Sequence, residues 1–401
     1  MNDRIMTLKQ SEEYFMTAEV FFLLFVFLKQ FYILPSGNLG IGDACLAVSC
    51  LFLMLSKIKK KEPFLNLNQD FWGLAFIICV VIINFINFMI YKQPSFLIYI
   101  LYWIYNACAI ICFKNLINKK FLRKLAFVLK ASILLQFLLY ITGVGRQFYE
   151  YWGGIRYMGT FNDPNQLAFY IFSAMLLIYI YSCKYNDRTF PVFYILSVWI
   201  IAVSKSTGIF VGIFLFTVGI GILKLWKFYQ SGRLPKKFWV LIGGCLAVSI
   251  ITGLYIIWPS KDFAIQNSDF SILSRIQEKI FKLTQGGIVS FLYDRGAEKI
   301  ILYPQYMLWG AGEGYYERFT LAAYANEIHS SLFSILFCYG IIPTIFLIKW
   351  LWGYLKQGSK GEMAGVFALL GESLFLVNYR QPFFWMVIVL LEKNVKNDTE
   401  V

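Results

Sequence analysis

Four side chains are of types that bind phosphate or move protons: Arg156, Arg295, Glu327 and His329, the last being the only histidine in 401 residues. A guanidinium presents a planar fork of N–H donors that can hold two phosphate oxygens at once. A histidine beside a glutamate can serve as acid, base or phosphate partner near neutral pH. Arg156 lies in a glycine- and aromatic-rich stretch running Tyr151-Trp152-Gly-Gly-Ile-Arg156-Tyr157 to Asp163-Pro164-Asn165-Gln166. Asp163 followed by Pro164 reads as an N-cap with proline in the first turn, so the helix that follows would offer backbone N–H groups to an anion. The other reading of Arg156 is an interfacial arginine–aromatic anchor beside an ordinary cap. Lys205, in Ser204-Lys205-Ser206-Thr207-Gly208, sits at a second turn and could reach the same phosphate.

Further along, Phe270–Leu283 (FSILSRIQEKIFKL) is amphipathic, with Arg275, Lys279 and Lys282 at helical spacing. A short helix lying on a membrane surface would hold these charges at phosphate level; a solvated charged face is the alternative. Arg295 is followed by the run Gly310-Ala-Gly312-Glu313-Gly314, whose glycines permit a tight turn. No strand–helix context accompanies it, so a dinucleotide site is not credible. One histidine and no cysteine in the two long loops do not supply the three ligands of a catalytic zinc, and no metal or cofactor is assigned. Aromatics in these stretches, Tyr157 among them, commonly anchor at a membrane interface.

These residues must be positioned by a membrane. The chain is 59% hydrophobic and 15% charged, with mean hydropathy +0.61. A soluble protein is about a quarter charged, so a soluble globule is excluded. A bilayer core of about 30 Å needs about 20 apolar residues per helix, and such runs predict about twelve spans. They lie near 15–34, 39–56, 71–91, 96–113, 122–142, 165–182, 190–203, 208–226, 237–258, 329–348, 363–378 and 382–391. The last two are short enough to be re-entrant or tilted. The whole chain, 1–401, reads as a single membrane domain.

The segments expected on one side carry 23 of the 37 Lys and Arg, with Lys57–Lys61, Lys114–Lys124 and Lys224–Lys237 as the densest. The positive-inside rule makes that side cytoplasmic and puts both termini there. The +14 charge is therefore a topology signal, and no nucleic-acid partner is inferred. No cleavable signal peptide is evident. The eight cysteines fall in or beside apolar spans and imply no disulfide framework. Glu19, Lys29, Asp43, Lys130 and Glu372 fall inside spans and should face the bundle interior, with Lys29 also able to snorkel. Two exterior loops, 143–164 and 259–328, the latter between spans nine and ten, would cap the site.

Taken together, the motifs resemble the bacterial O-antigen ligase and polysaccharide polymerase superfamily (Wzy-type and ligase-type). Arg156-Tyr-Met-Gly-Thr-Phe-Asn-Asp-Pro-Asn165 is similar to its R-x-x-G-T-F-x-x-P-N segment, and Ser204–Gly208 to its small basic turn. Arg295 with Trp309–Gly314 resembles its loop arginine and glycine-rich stretch. Glu327-Ile-His329-Ser-Ser, leading to Tyr339-Gly340-Ile341, resembles the E-x-H-N/S start of the span after the large loop, with Ser330 where asparagine is usual. The similarity covers roughly 145–345.

The resemblance implies an all-α, GT-C-like polytopic protein of a bacterial cytoplasmic membrane. It would perform inverting, metal-independent glycosyl transfer at the outer face, without a cofactor. The donor would be a glycan on polyprenyl pyrophosphate and the acceptor a sugar hydroxyl on a second lipid-linked repeat. Membrane lipids surround the enzyme, and a chain-length regulator and a flippase are candidate partners. Arg156 and Arg295 would clamp pyrophosphate, with Asn165, Lys205, Arg275 and Tyr157 also binding substrate. Glu327 or His329 would act on the acceptor hydroxyl, and His329 could instead bind pyrophosphate. A ligase of the same superfamily, a polysaccharide flippase or transporter, and a scaffold protein are the other readings. A transporter should carry its decisive charges at mid-membrane in repeated halves; here they cluster at helix starts.

Overall fold

The computed structural model describes residues 2–32, 40–149, 154–232, 272–322 and 326–392. The expected ninth span (237–258), the aromatics Tyr151 and Trp152, and the first residues of the amphipathic segment lie outside the described residues. The chain forms a helical membrane protein. Among the described residues six helices are long and apolar enough to cross a bilayer: α2 (Ile41–Lys60), α3 (Leu67–Tyr91), α4 (Ser95–Leu116), α5 (Lys119–Ile141), α6 (Pro164–Tyr185) and α8 (Thr207–Gln230). They follow α1 (Asn2–Leu28), with the shorter α7 (Phe190–Ser204) between α6 and α8. After them come α9 (Ile272–Asp294), the single turns α10 (Lys299–Leu302) and α11 (Tyr306–Trp309), then α12 (Ser331–Tyr339), α13 (Ile341–Leu355), α14 (Lys360–Glu372) and α15 (Pro382–Val389).

Helix α6 is the centre of the bundle: 72% of its apolar window is buried, against 17% for α3 at the periphery. Its Tyr170 packs on Phe161 and Phe383, and the Tyr170 hydroxyl donates to the Val26 carbonyl at 2.8 Å. On the flank, Phe22, Phe113 and Phe121 interlock the cores of α1, α4 and α5. Of the five charges expected inside spans, Glu19, Lys29, Asp43 and Lys130 are ion-paired, as burial requires. The fully buried Glu372 accepts only from the Asn378 amide, and its second oxygen has no partner among the described residues. Glu19 accepts from Lys124 at 2.6 Å, and Lys130 pairs with Asp187. Lys29 does not snorkel: it is buried and holds Asp43 of α2 at 2.8 Å, with Tyr105 bonded to the same carboxylate.

The architecture departs from a plain array of spans in three places. The loop after α5 is not irregular but folds into an antiparallel hairpin, β1 (Arg146–Tyr149) with β2 (Ile155–Gly159), pairing Gln147 with Tyr157 and Phe148 with Arg156. The tenth expected span is two helices, broken at Gly340, where φ is +80° and an added Cβ would lie 2.7 Å from the Leu308 carbonyl oxygen. The break exposes backbone acceptors that the glycine run uses: Ala311 N donates to Phe337 O at 3.0 Å and Gly312 N to Cys338 O at 2.7 Å. Finally, α14 has 13 residues and α15 only 8, or about 20 and 12 Å at 1.5 Å per residue. Neither length spans a core of about 30 Å. Their connection, residues 373–381, therefore lies within the bundle rather than beyond it.

Candidate active site

A polar cavity of about 370 Å³ opens where α1 ends, α6 and α12 begin, and the α14–α15 connection passes. Asp163, Asn165 and Gln166 reach it from α6, Glu327 and His329 from the approach to α12, and Arg380 and Gln381 from the connection, with Lys29 at its edge. Three sequence-predicted residues (Asn165, Glu327, His329) thus come together. Helix N-termini carry partial positive charge, and three of them border this space.

The cap of α6 forms as its sequence implies: Asp163 Oδ1 accepts from Asn165 N at 2.7 Å and Gln166 N at 3.2 Å, with Pro164 in the first turn. The cap also consumes those two donors, so the expected open anion site at the start of α6 is already occupied by a carboxylate. At α15 no side chain caps the first turn, which opens on Pro382 without an N–H, and Phe384 N donates to Gln381 O at 3.0 Å.

Arg156 is buried behind the cavity wall. Its Nε donates to Ser204 O and its Nη2 to Asn165 Oδ1, both at 2.9 Å, and Ser206 Oγ donates to the same Asn165 oxygen at 2.8 Å. The fork expected on phosphate is spent here on protein acceptors, and Arg156 fixes the orientation of Asn165. Lys205 holds the left-handed turn at the end of α7 (φ +52°) between those two serines and does not line the cavity. Tyr157 is buried, with its hydroxyl on Gln136 O at 2.8 Å and its ring edge-on to Tyr140. It has no face free for a sugar.

Arg295 is likewise turned into protein, donating from Nη1 to Phe375 O at 2.7 Å and lying over the Phe375 ring. Its contribution to the site runs through the backbone: Arg295 O accepts from His329 N at 2.7 Å. Gly296, at φ +63°, allows that approach, because a Cβ would sit 3.1 Å from Glu327 O. The basic stripe of α9 is internally paired, Lys279 with Asp294 at 3.0 Å across a kink at Gly287 and Lys282 with Glu278 at 2.7 Å. Arg275 is half-buried and away from the cavity.

The residue that sequence reasoning passed over is Arg380. Its Nη2 donates to Glu327 Oε2 at 2.7 Å and its Nε to Glu313 Oε1 at 2.7 Å, while its guanidinium lies 4.6 Å from the Tyr99 ring centre. Glu313, from the glycine run, is fully buried. Trp103, Tyr339 and Tyr379 also donate to its carboxylate, and its own N–H donates to Asn84 at 2.7 Å. A charge this deeply buried persists only when saturated with partners. The available signal was the polar stretch Asn378–Gln381 between two apolar runs too short to span.

His329 is open to the cavity, yet the protein around it removes much of its water. That desolvation lowers its pKa below the ordinary 6.5; Glu327 opposes the shift, while Arg295, Arg380 and Lys299 add to it. The imidazole is therefore mostly neutral near pH 7, the form that accepts a proton. Among the described residues no three His, Cys, Asp or Glu side chains gather as a metal-ligand set. The chain matches no protein-family model and no curated protein sequence.

Proposed function

We propose that this protein is a polysaccharide polymerase that joins oligosaccharide repeat units carried on polyprenyl pyrophosphate, by inverting glycosyl transfer at the outer face of a bacterial cytoplasmic membrane. A twelve-pass, GT-C-like arrangement with both termini cytoplasmic belongs to the same reading, as do a chain-length regulator and a flippase as partners. The observation that carries it is the sharing of one polar cavity by a neutral-leaning histidine, a carboxylate and a guanidinium at the borders of three helix N-termini. Those are the groups that transfer from a pyrophosphate donor to a hydroxyl acceptor requires.

The acceptor hydroxyl attacks the donor's anomeric carbon. The new glycosidic C–O bond forms as the bond to pyrophosphate breaks, and its electron pair leaves on polyprenyl pyrophosphate. The hydroxyl proton passes to Glu327 or His329. Arg380 faces the developing charge on the leaving group, in a site where fixed donors act without the screening of bulk water. Arg380 is bonded to Glu327 at 2.7 Å. A phosphate oxygen that takes over the Nη2 donor would free Glu327 for the acceptor. Arg156 and Arg295 serve as positioning residues, holding Asn165 and the His329 backbone. The test is reconstitution of the purified chain with a lipid-linked repeat unit, where His329→Ala and Arg380→Ala should each abolish the product ladder while the protein still inserts.

A further inference from the structure

A second and larger cavity, about 670 Å³, lies at the opposite end of the bundle between α3, α4, α13 and α15. Its walls are apolar, built on α3 by Leu74, Phe76 and Ile77 and on α4 by Ala107, Ile110 and Ile111. Along α4 it runs from Asn115 to Trp103, twelve residues or about 18 Å. That is a little more than half of a hydrocarbon core of about 30 Å, the depth of a single leaflet. Trp103 and Trp385, with ring centres 5.7 Å apart, close the deep end. The mouth reaches the outer surface of the bundle, because Leu67 and Leu74 line the cavity and are 57% and 37% exposed.

The rim is of a different character. Lys57 pairs with Glu62 at 2.7 Å and Lys114 with Asp70 at 2.6 Å, and with Glu392 also lining the cavity this end carries both signs of charge alongside the amides of Asn66, Asn68 and Asn115. This is the lysine-rich end of α2, which the positive-inside rule assigns to the cytoplasmic leaflet. An apolar slot one leaflet deep, under a rim bearing both signs of charge, has the polarity of a zwitterionic amphiphile. Its volume lies within the 300–1,000 Å³ typical of ligand sites.

We propose that this slot binds a zwitterionic glycerophospholipid of the cytoplasmic leaflet, with one acyl chain between α3 and α4 and the phosphate and ammonium of the head group on the Lys57–Glu62 and Lys114–Asp70 pairs. The bound chain abuts Trp103, whose indole N–H donates to the Tyr339 hydroxyl at 2.7 Å on its far side. The lipid therefore braces the wall behind Glu313. The site stands apart from the glycosyl-transfer reading, and binding can be scored whether or not that reading holds.

The probe is phosphatidylethanolamine carrying a photoreactive diazirine at mid-chain, reconstituted with the full-length protein in vesicles and mapped by peptide mass spectrometry. Labelling should saturate near one lipid per chain on slot residues such as Ile77, Ile110 and Ile111. Unlabelled phosphatidylethanolamine should compete about tenfold better than phosphatidylglycerol. Filling the slot with Ala107→Trp and Ile110→Trp together should remove the saturable label. Labelling confined to outward residues such as Ile78 and Ile82, or a filled variant that labels like the wild type, would overturn the proposal. The wild-type map decides the matter even if the filled variant does not fold.

Discussion

Arg380 stands between two carboxylates, 2.7 Å from Glu327 at the edge of the cavity and 2.6 Å from Glu313 inside the protein. One carboxylate is fully buried and the other is 27% exposed, so the two ion pairs have different tasks. Glu313 anchors the guanidinium to the glycine run and the helix break. Under the proposed mechanism, Glu327 is the partner that a phosphate oxygen displaces.

Removing Arg380 therefore does two things at once. Arg380→Ala should abolish chain elongation and, by stranding the Glu313 charge, lower stability by about 3–5 kcal/mol. Adding Glu313→Gln should recover much of the stability and none of the activity. Thermal unfolding in detergent alongside a glycan ladder assay measures both; recovery of activity in the double variant would show that Arg380 only neutralises Glu313.

Replacing His329 by alanine should reduce elongation by roughly 10²–10⁴-fold without changing protein level, because the side chain is exposed to the cavity. A wild-type ladder from His329→Ala would remove the histidine from the mechanism.

The pH dependence follows from the direction of the His329 shift. Burial and the nearby cations depress its pKa, so the basic form persists below the ordinary value and the acid limb of the rate profile should have its midpoint below 6.5. Removing a neighbouring cation with Arg295→Gln should move that limb upward in whatever activity remains. A limb that stays fixed would mean that another group is titrating.

Arg156 and Asn165 should behave as one unit, since the guanidinium orients the amide at 2.9 Å. Arg156→Ala and Asn165→Ala are expected to be non-additive, with a coupling of about 0.5–3 kcal/mol in the rate. Arg156→Lys should fail as well, because a point charge cannot bond Ser204 O and Asn165 Oδ1 in the same geometry. Full activity in the lysine variant would show that charge alone suffices.

The orientation of the bundle can be read separately. A reporter fused near Gly287 should be scored as exterior; a cytoplasmic score would invert the topology and with it the leaflet assigned to each cavity.

The membrane frame was legible because hydropathy is a local property. Helices α2 to α8 begin and end within about a turn of the apolar runs that mark them. Helix α1 starts well before its apolar run, since polar residues such as Lys9, Gln10 and Glu12 are good helix formers that hydropathy does not register. Asp163 and Pro164 announced the cap of α6, and Glu327 and His329 were visible as rare polar residues at a helix start. Side-chain direction was not visible. Whether Arg156 faces phosphate or Ser204 depends on where α7 ends, and the partner of Lys29 lies on another helix. Arg380 acquires meaning only through Glu313, 67 positions earlier in the chain, and nothing local connects the two. The break at Gly340 was hidden for the same reason, because the glycine run that packs against it lies in the preceding loop.

Reconstitution of the purified protein in vesicles with a polyprenyl-pyrophosphate-linked repeat unit, with the products resolved by size, tests the polymerase reading. A ladder rising by one repeat at a time, with polyprenyl pyrophosphate released in step and both lost in His329→Ala, is the predicted result. A single addition to a different acceptor, or intact substrate moved to the opposite leaflet, would contradict it and identify a ligase or a transporter instead.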